Sequence, residues 1–367
     1  MSRQSELAEL GRVYDGGALS NRNMVTNGAM VIDQRNGGSS ITPTAWAYSV
    51  DRFRAEISQA SKFSVQQDAG SVTPPVGFSH YLGVTSLSSY TPLTGDYFYI
   101  NTQVEGYNSA QLGWGTSGAK DATLSFWVRS SLTGSHSGAL RNGGNTRSYP
   151  FTFTVSTANT WEHKTVTIEG DTSGTWATNN TSGVQISFSL GGGTTFRGTT
   201  GAWASADYRA GVTGAVDIVG TNGATFYITG VQLEVGDTAT PFEHPRSYSD
   251  ELARCQRYYW RHSGSEANGN YLRLCQGLMS TTTQAEGHVF FPQRMRAIPT
   301  VTSGNNIAAW DGTSVRNGTT FNIGTDGSNP NGAAVYLGGI SGGTQYRPVQ
   351  ILLSNNSSGY FAFDAEL

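Results

Sequence analysis

The chain has 367 residues, 47 of them glycine, and its 23 Lys and Arg against 26 Asp and Glu leave a net charge of −3. With the two signs interspersed, there is no basic stripe for nucleic acid, and no apolar run approaches membrane-spanning length, so neither nucleic-acid binding nor membrane insertion is expected. Aromatic residues are spread evenly, which excludes a disordered chain. The abundance of Gly, Ser, Thr and Asn instead suits short strands joined by tight turns, an all-β protein of more than one domain.

The opening MSRQSELAEL lacks the features of a signal peptide, which predicts synthesis in the cytoplasm. Residues 2–10 predict a short amphipathic helix with Leu7 and Leu10 on one side and Gly11 as its stop. It is too short to hold alone, and reads as a docking peptide or as a frayed terminus. Asn27-Gly28 and Asn36-Gly37-Gly38 then mark turns around a short strand. From about Trp46 to Val235, strand patterns recur at sandwich spacing: YFYINTQVEGY, ATLSFWVRSS, SYPFTFTVST, EHKTVTIEGD, SGVQISFSLGG and ATFYITGVQLEV. Leu124, Phe126 and Val128 share one face of their strand, while Val166 and Ile168 alternate with polar neighbours. Two packed antiparallel sheets of jelly-roll type are expected.

The last of these strands, from Phe226 to Val235, predicts a half-buried element with Tyr227, Thr229, Val231, Leu233 and Val235 on one face. It ends at Gly236-Asp237, crosses two prolines and enters a short helix, for which Ser247 and Asp250 supply a capping signal. Tyr248, Leu252, Cys255 and Tyr259 follow at spacings of four, three and four, the pattern of a coiled-coil seam. Two heptads do not hold a helix alone in water, so the stripe must pack on its own chain or on copies of it. Residues 268–367 give a second β run, with turns at Asp311-Gly312, Asn317-Gly318, Asp326-Gly327 and Gly342-Gly343. The expected plan is an N-terminal peptide over 1–20, a jelly-roll sandwich over 21–242, a helical neck over 243–262 and a smaller sandwich over 263–367. A single continuous β domain with the helix on its surface is the competing plan. The two cysteines, Cys255 and Cys275, fall in different elements and are expected as free thiols.

Chemistry-bearing constellations are scarce. Glu162 with Glu169, and Glu234 with Asp237, are the carboxylate pairs a glycosidase could use. The first pair is an odd number of residues apart and faces opposite sides of a strand, and the second reads as solvated turn charges. The six histidines show no zinc spacing, and no Gly-x-Ser-x-Gly elbow is present. Asp15-Gly-Gly, Glu234 to Asp237 and Asp326-Gly-Ser-Asn carry the residue types of a structural Ca2+ site, and are explained equally by Asp and Asn in β-turns. No catalytic residue, metal ligand set or cofactor is predicted.

Several segments together resemble one family: NRNMVTNGAMVIDQRNGG, VDRF at 50–53, LSFWVRSSLTGSHSGALRNGG at 124–144, TWEHKTVTIEGDTSGTW at 160–176, the stretch 223–260 and the terminal FAFDAEL. The chain is similar to phage tail-fibre and head-fibre proteins that carry a carbohydrate-binding-module-like jelly roll. The resemblance covers most of the chain, and Pro245 within FEHPRS departs from its pattern. It implies a homotrimeric virion appendage whose N-terminus docks on other virion proteins of the tail, portal or capsid. The C-terminus would face the host surface polysaccharide. In a trimer, Tyr248, Leu252, Cys255 and Tyr259 would form the seam. Sugar recognition calls for aromatic residues in polar loops, beside groups that read hydroxyls. Trp114, Trp176, Trp203, Tyr208, Arg141 and Asn142 meet that description in the first sandwich, and Trp310, Asp311, Tyr346 and Arg347 in the second. The expected function is adhesion to host glycan without catalysis. The alternatives are a purely structural or decoration protein of the tail or capsid, and a short polysaccharide depolymerase or esterase.

Overall fold

The computed structural model describes Arg3, residues 22–263 and residues 271–367. Leu7, Leu10 and Asp15 lie outside the described residues. The chain divides into two compact units, the first running to Glu251 and including Leu367, the second comprising Leu252–Glu366. Among the described residues, no helix is long and apolar enough to cross a membrane.

Unit 1 is built from β1 (Ala47–Tyr48), β2 (Phe53–Ile57), β3 (Phe63–Gln67), β4 (Leu82–Ser86), β5 (Tyr97–Glu105), β6 (Ala122–Ser130), β7 (Gly134–Asn142), β8 (Ser148–Val155), β9 (Glu162–Ile168), β10 (Ser182–Gly192) and β11 (Thr225–Val235). A six-stranded sheet runs β1-β2-β5-β10-β7-β8 and a five-stranded sheet runs β3-β4-β11-β6-β9, both antiparallel. From β5 onward the chain crosses repeatedly between them, as in a jelly roll. Alternate residues of each strand fill the space between the sheets: Phe98 and Ile100 of β5, Leu124, Phe126 and Val128 of β6, and Val184, Ile186, Phe188 and Leu190 of β10 belong to one buried cluster. The side-chain period of two puts them there.

Strand β11 departs from its expected single face. Gly230 has φ +63°, and the pairing with β6 slips between Thr229 and Gln232, a β-bulge. The bulge reverses the facing of the strand, so Phe226 and Ile228 before it and Val231 and Leu233 after it all enter the core. Tyr227 lies on the outer face, its ring 5.2 Å from Tyr81 and 5.3 Å from the Arg129 guanidinium. The outer face is covered as well, so β11 is buried on both sides rather than half-buried.

The cover after β11 is the segment 236–244, folded back as a strap. Glu234, expected as a solvated turn charge, is 2 % exposed and anchors it. Its carboxylate accepts the Thr240 N–H at 2.9 Å, the Thr240 hydroxyl at 2.6 Å and the Gln232 amide at 2.9 Å. The Glu243 N–H donates to Gln232 at 2.8 Å, and Phe242 and His244 pack on Phe78 at 5.0 and 5.2 Å.

The helix spans Tyr248–Gln256 and begins where the sequence places it, with the Asp250 N–H donating to Ser247 Oγ at 3.1 Å. The expected four-residue stripe does not survive on it. Tyr259 lies in a strand rather than on the helix, and both Cys255 and Tyr259 are buried, at 0 % and 6 % exposure. A helix of nine residues ends before the second heptad is complete.

Unit 2 has a three-stranded sheet and a seven-stranded one. The first runs β12-β21-β15, from β12 (Tyr259–Ser263), β15 (Thr300–Ser303) and β21 (Tyr360–Asp364). The second runs β17-β16-β20-β13-β14-β19-β18, from β13 (Leu272–Met279), β14 (Ala285–Phe290), β16 (Ile307–Trp310), β17 (Val315–Asn317), β18 (Thr320–Ile323), β19 (Gly332–Gly338) and β20 (Pro348–Leu353). Phe361 and Phe363 of the small sheet share one core with Val335, Leu337, Ile351 and Leu353 of the large one. The two cysteines form no disulfide, and burial pushes the Cys275 thiol up to about 12.

Candidate functional site

The loop tryptophans of the first sandwich come together, but on one another. Trp114 and Trp176 meet edge to face at 4.7 Å, Trp114 and Trp203 at 5.1 Å, and Trp176 and Trp203 at 5.3 Å. Tyr149 adds a fourth ring 5.2 Å from Trp203. Each indole N–H is consumed by a backbone carbonyl: Trp114 donates to Lys120, Trp176 to Ser173 and Trp203 to Glu169. Trp114 is 6 % exposed and offers no platform to a ligand. The triad is a clamp that ties three long connections to the end of the sandwich, each edge-to-face pair contributing about 0.5–1.5 kcal/mol beyond its burial. Beside it lie two shallow hollows, one of about 200 Å³ at Leu112, Trp114 and Trp176, and one of about 310 Å³ at Arg197, Thr199, Trp203, Tyr208 and Thr213.

Arg141 and Asn142, expected in a polar turn, instead end strand β7 and are 2 % and 1 % exposed. Asn142 Oδ1 accepts the N–H groups of Thr146 and Arg147 at 2.8 and 3.0 Å, so it closes the β7–β8 turn. Arg141 donates to Asn145, Asp207 and Gln185. Nearby, Arg147 grips Asp171 with two nitrogens at 2.8 and 2.6 Å, and that bond raises the guanidinium above its usual range.

In unit 2, Asp311 is likewise a turn lock. Its carboxylate accepts the N–H groups of Thr313 and Ser314 at 3.0 and 2.8 Å and the Arg316 guanidinium at 3.1 Å. These bonds, first that of Ser314, hold its pKa far below the usual carboxylate range. Arg347 donates to the Asp311 carbonyl at 3.2 Å, so it too is engaged. Tyr346 is 74 % exposed, and Trp310 stands inside β16 rather than in a loop. The carboxylate pairs do not converge on a site. Glu162 is bound to Lys164 and to the N–H groups of Ser156 and Thr157, and Glu169 lies beyond the far end of β9. Among the described residues no group of three or more His, Cys, Asp or Glu is placed to hold a metal ion.

The residues that do assemble a polar surface are not among those expected from the sequence. They lie on the outer face of the six-stranded sheet, where Tyr97, Tyr99, Asn101 and Gln103 alternate with the core residues of β5. Register sets Arg54 of β2 and Ser187 of β10 on either side of Asn101, and Glu56 and Ser189 on either side of Tyr99. Over the β7–β8 half of this face runs the connection 193–217, held by Ser187 Oγ donating to the Arg209 carbonyl and by the Ala204–Ser148 bridge. Its charged residues form one wall: Asp207 pairs with Arg141 and Arg209, and the Arg209 guanidinium lies 5.1 Å from the Tyr97 ring and 4.8 Å from that of Phe196. Across the face, the Arg54 guanidinium sits 5.1 Å from the Trp46 ring, which is 60 % exposed. Burial pushes the Tyr99 phenol above its usual value.

At the floor is Asn101, 1 % exposed, whose amide nitrogen and oxygen both lack a hydrogen-bond partner among the described residues. The Ser189 hydroxyl is in the same position. A buried polar group left unmatched costs about 1–3 kcal/mol. Both groups are enclosed, so buried water would satisfy them, or a ligand's hydroxyl groups that displace the side chains or water above them. The signal available in the sequence was the run YFYINTQ, whose outward positions are two tyrosines and two amides rather than Ser and Thr.

No protein-family model matches this chain, and no curated protein matches it in sequence. Among solved structures, the enzymatically active domain of tailspike protein 4 of bacteriophage CBA120 aligns with 59 % of this chain at 12 % identity and a TM-score of 0.29. The match spans 22 % of that chain. A protein of Bacteroides thetaiotaomicron, described as a putative sugar binding protein, aligns over 58 % of this chain and 100 % of its own at 10 % identity and a TM-score of 0.32. A family 11 carbohydrate-binding module of a cellulosomal cellulase from Clostridium thermocellum covers 56 % of this chain and 100 % of its own, at 11 % identity and a TM-score of 0.27. At scores this low, the ligand of this chain must be argued from its own residues.

Proposed function

We propose that the chain is a non-catalytic glycan-binding protein and serves as the adhesive fibre or spike of a phage virion, assembled as a homotrimer. The observation that carries the glycan reading is the outer face of the six-stranded sheet. There, aromatic rings and guanidinium groups border a floor on which Asn101 and Ser189 have unmatched polar atoms. A sugar presents C–H faces to rings and hydroxyls to amides, which is the complement of that surface. The virion setting rests on the family resemblance in the segments quoted above, and the N-terminal peptide with Leu7 and Leu10 is proposed as the part that docks on other virion proteins. Many weak sites on several trimers would hold a particle to a cell by avidity. One carboxylate of each pair, Glu162 and Glu234, is engaged in structural bonds, which favours adhesion over cleavage.

The test is binding of soluble neutral hexose polymers (β-glucan, galactan, xylan, mannan) and of host cells, by the wild type and by Asn101→Leu. Wild-type binding that the substitution weakens about tenfold or more supports the reading, since it removes two hydrogen bonds of about 1 kcal/mol each. Absence of any glycan or cell binding by the wild type would leave a structural virion protein, and release of reducing ends from host envelope would identify a depolymerase.

A further inference from the structure

We propose that the open face of the seven-stranded sheet in unit 2 is a second polysaccharide-binding surface, a shallow row that runs across the strands. Val349, Ile351 and Leu353 of β20 point into the core, which turns Gln350 outward; Ile307 and Ala309 of β16 do the same for Trp310. Trp310 is paired with Gln350, and Gln350 with Gln276 of β13. The register that pairs Gly277 with Gly287 sets His288 of β14 next in line. An indole, two amides and an imidazole thus stand side by side on four adjacent strands. With strands ~4.8 Å apart, the row is about 14 Å long, and its spacing is close to the advance per residue of a β-linked hexose chain.

Two further observations favour a hydroxyl-rich occupant. Gln276 and His288 are exposed while Gln350 and Trp310 are half-buried, so the row opens to solvent at its β13–β14 end. Gln350 Oε1 is enclosed yet has no hydrogen-bond partner among the described residues, although the Gln276 amide is its register neighbour. An unmatched amide oxygen in line with a solvent-exposed amide and imidazole calls for donors and acceptors along the row, which a polysaccharide supplies and an apolar partner does not. The Arg273 guanidinium lies over the Trp310 ring, 5.7 Å from its centroid, and closes that side of the row. A chain lying here would meet Trp310 by its C–H face and the amides by its hydroxyls.

This inference rests on the reading of the protein as a glycan binder, and one experiment separates the two. The same four neutral polymers are titrated against the wild type, Asn101→Leu, and Asn101→Leu combined with Gln276→Ala and Gln350→Ala, with thermal melts confirming that each variant is folded. The expected result is residual binding in Asn101→Leu that the two added substitutions weaken about tenfold or more. Residual binding unchanged by those substitutions, or complete loss in Asn101→Leu alone, overturns the second surface while the first stands. No binding by the wild type removes both. Sedimentation of the triple variant completes the set: a change of oligomeric state with glycan binding intact would mark the face as a contact between copies and also overturn the proposal.

Discussion

At the scale of single residues, the polar groups inside unit 1 divide into matched and unmatched. Asn142 and Glu234 are matched, each by two or more bonds to turns and connections, and removing either would leave partners stranded. Asn101 is unmatched among the described residues. Asn101→Leu, which is nearly isosteric, should therefore raise stability by about 1–3 kcal/mol in a urea titration even as it weakens ligand binding. A loss of stability would show that the amide has partners in the folded protein. His136 offers a pH-dependent case. It is 0 % exposed, stacked on Phe153 at 5.7 Å, and burial holds its pKa below 6.5. The unfolded chain therefore takes up that proton first as pH falls. The contribution of the neutral ring is complete above the ordinary pKa and is lost as pH drops from there toward the depressed value. The melting temperature should fall on acidification from pH 7 to pH 5 more steeply in the wild type than in His136→Phe.

At the scale of elements, bulges, straps and caps decide what the strands present. In β11, Gly230 occupies a conformation that L side chains rarely adopt, and a Cβ there would meet the Phe78 ring at 2.7 Å. Gly230→Ala combines strain and overpacking and should cost about 2–4 kcal/mol, read from the shift in denaturation midpoint. A neutral outcome would mean that the bulge relaxes into the regular pairing. The alternation in FYITGVQLEV was legible, but its consequence was not. A period-two pattern assigns one face per strand, whereas one extra residue at the bulge exchanges the faces halfway along. β7 was missed for a related reason. GSHSGALRN is rich in small and polar residues, and it forms a strand because β10 and β8 pair with it on both sides, with Leu140 reaching the core. The loop aromatics Trp114, Trp176 and Trp203 were expected one by one as ligand contacts, and the structure brings them together. What they meet is each other, because an indole with its N–H satisfied is stabilised more by neighbouring rings than by water.

At the scale of the whole molecule, the chain is two β units with a short helix in which the boundary between them falls. Of the expected seam, Cys255 and Tyr259 are committed to the interior, while Tyr248 is 60 % exposed and Leu252 is half-buried. Under the proposed homotrimer, sedimentation should give the mass of three chains, and Leu252→Asp should lower it. A trimer that survives this substitution would place the threefold contact elsewhere, outside the helix.

By itself the sequence determined the class of the protein: glycine-rich turns and period-two strands admit only sheets, and the Ser247 cap and the strand positions around it followed from local chemistry. The tertiary structure alone decided which faces are open. Whether Asn101 is a surface amide or a floor, whether Glu234 is solvated or an anchor, and whether Gln276 stands beside Gln350 all depend on which strands become neighbours. That pairing joins residues far apart in sequence. The helix with its apolar stripe gave the same lesson, since four residues at heptad spacing form a seam only if the helix is long enough to carry them, and the pairing of Tyr259 with Asp364 ends it first.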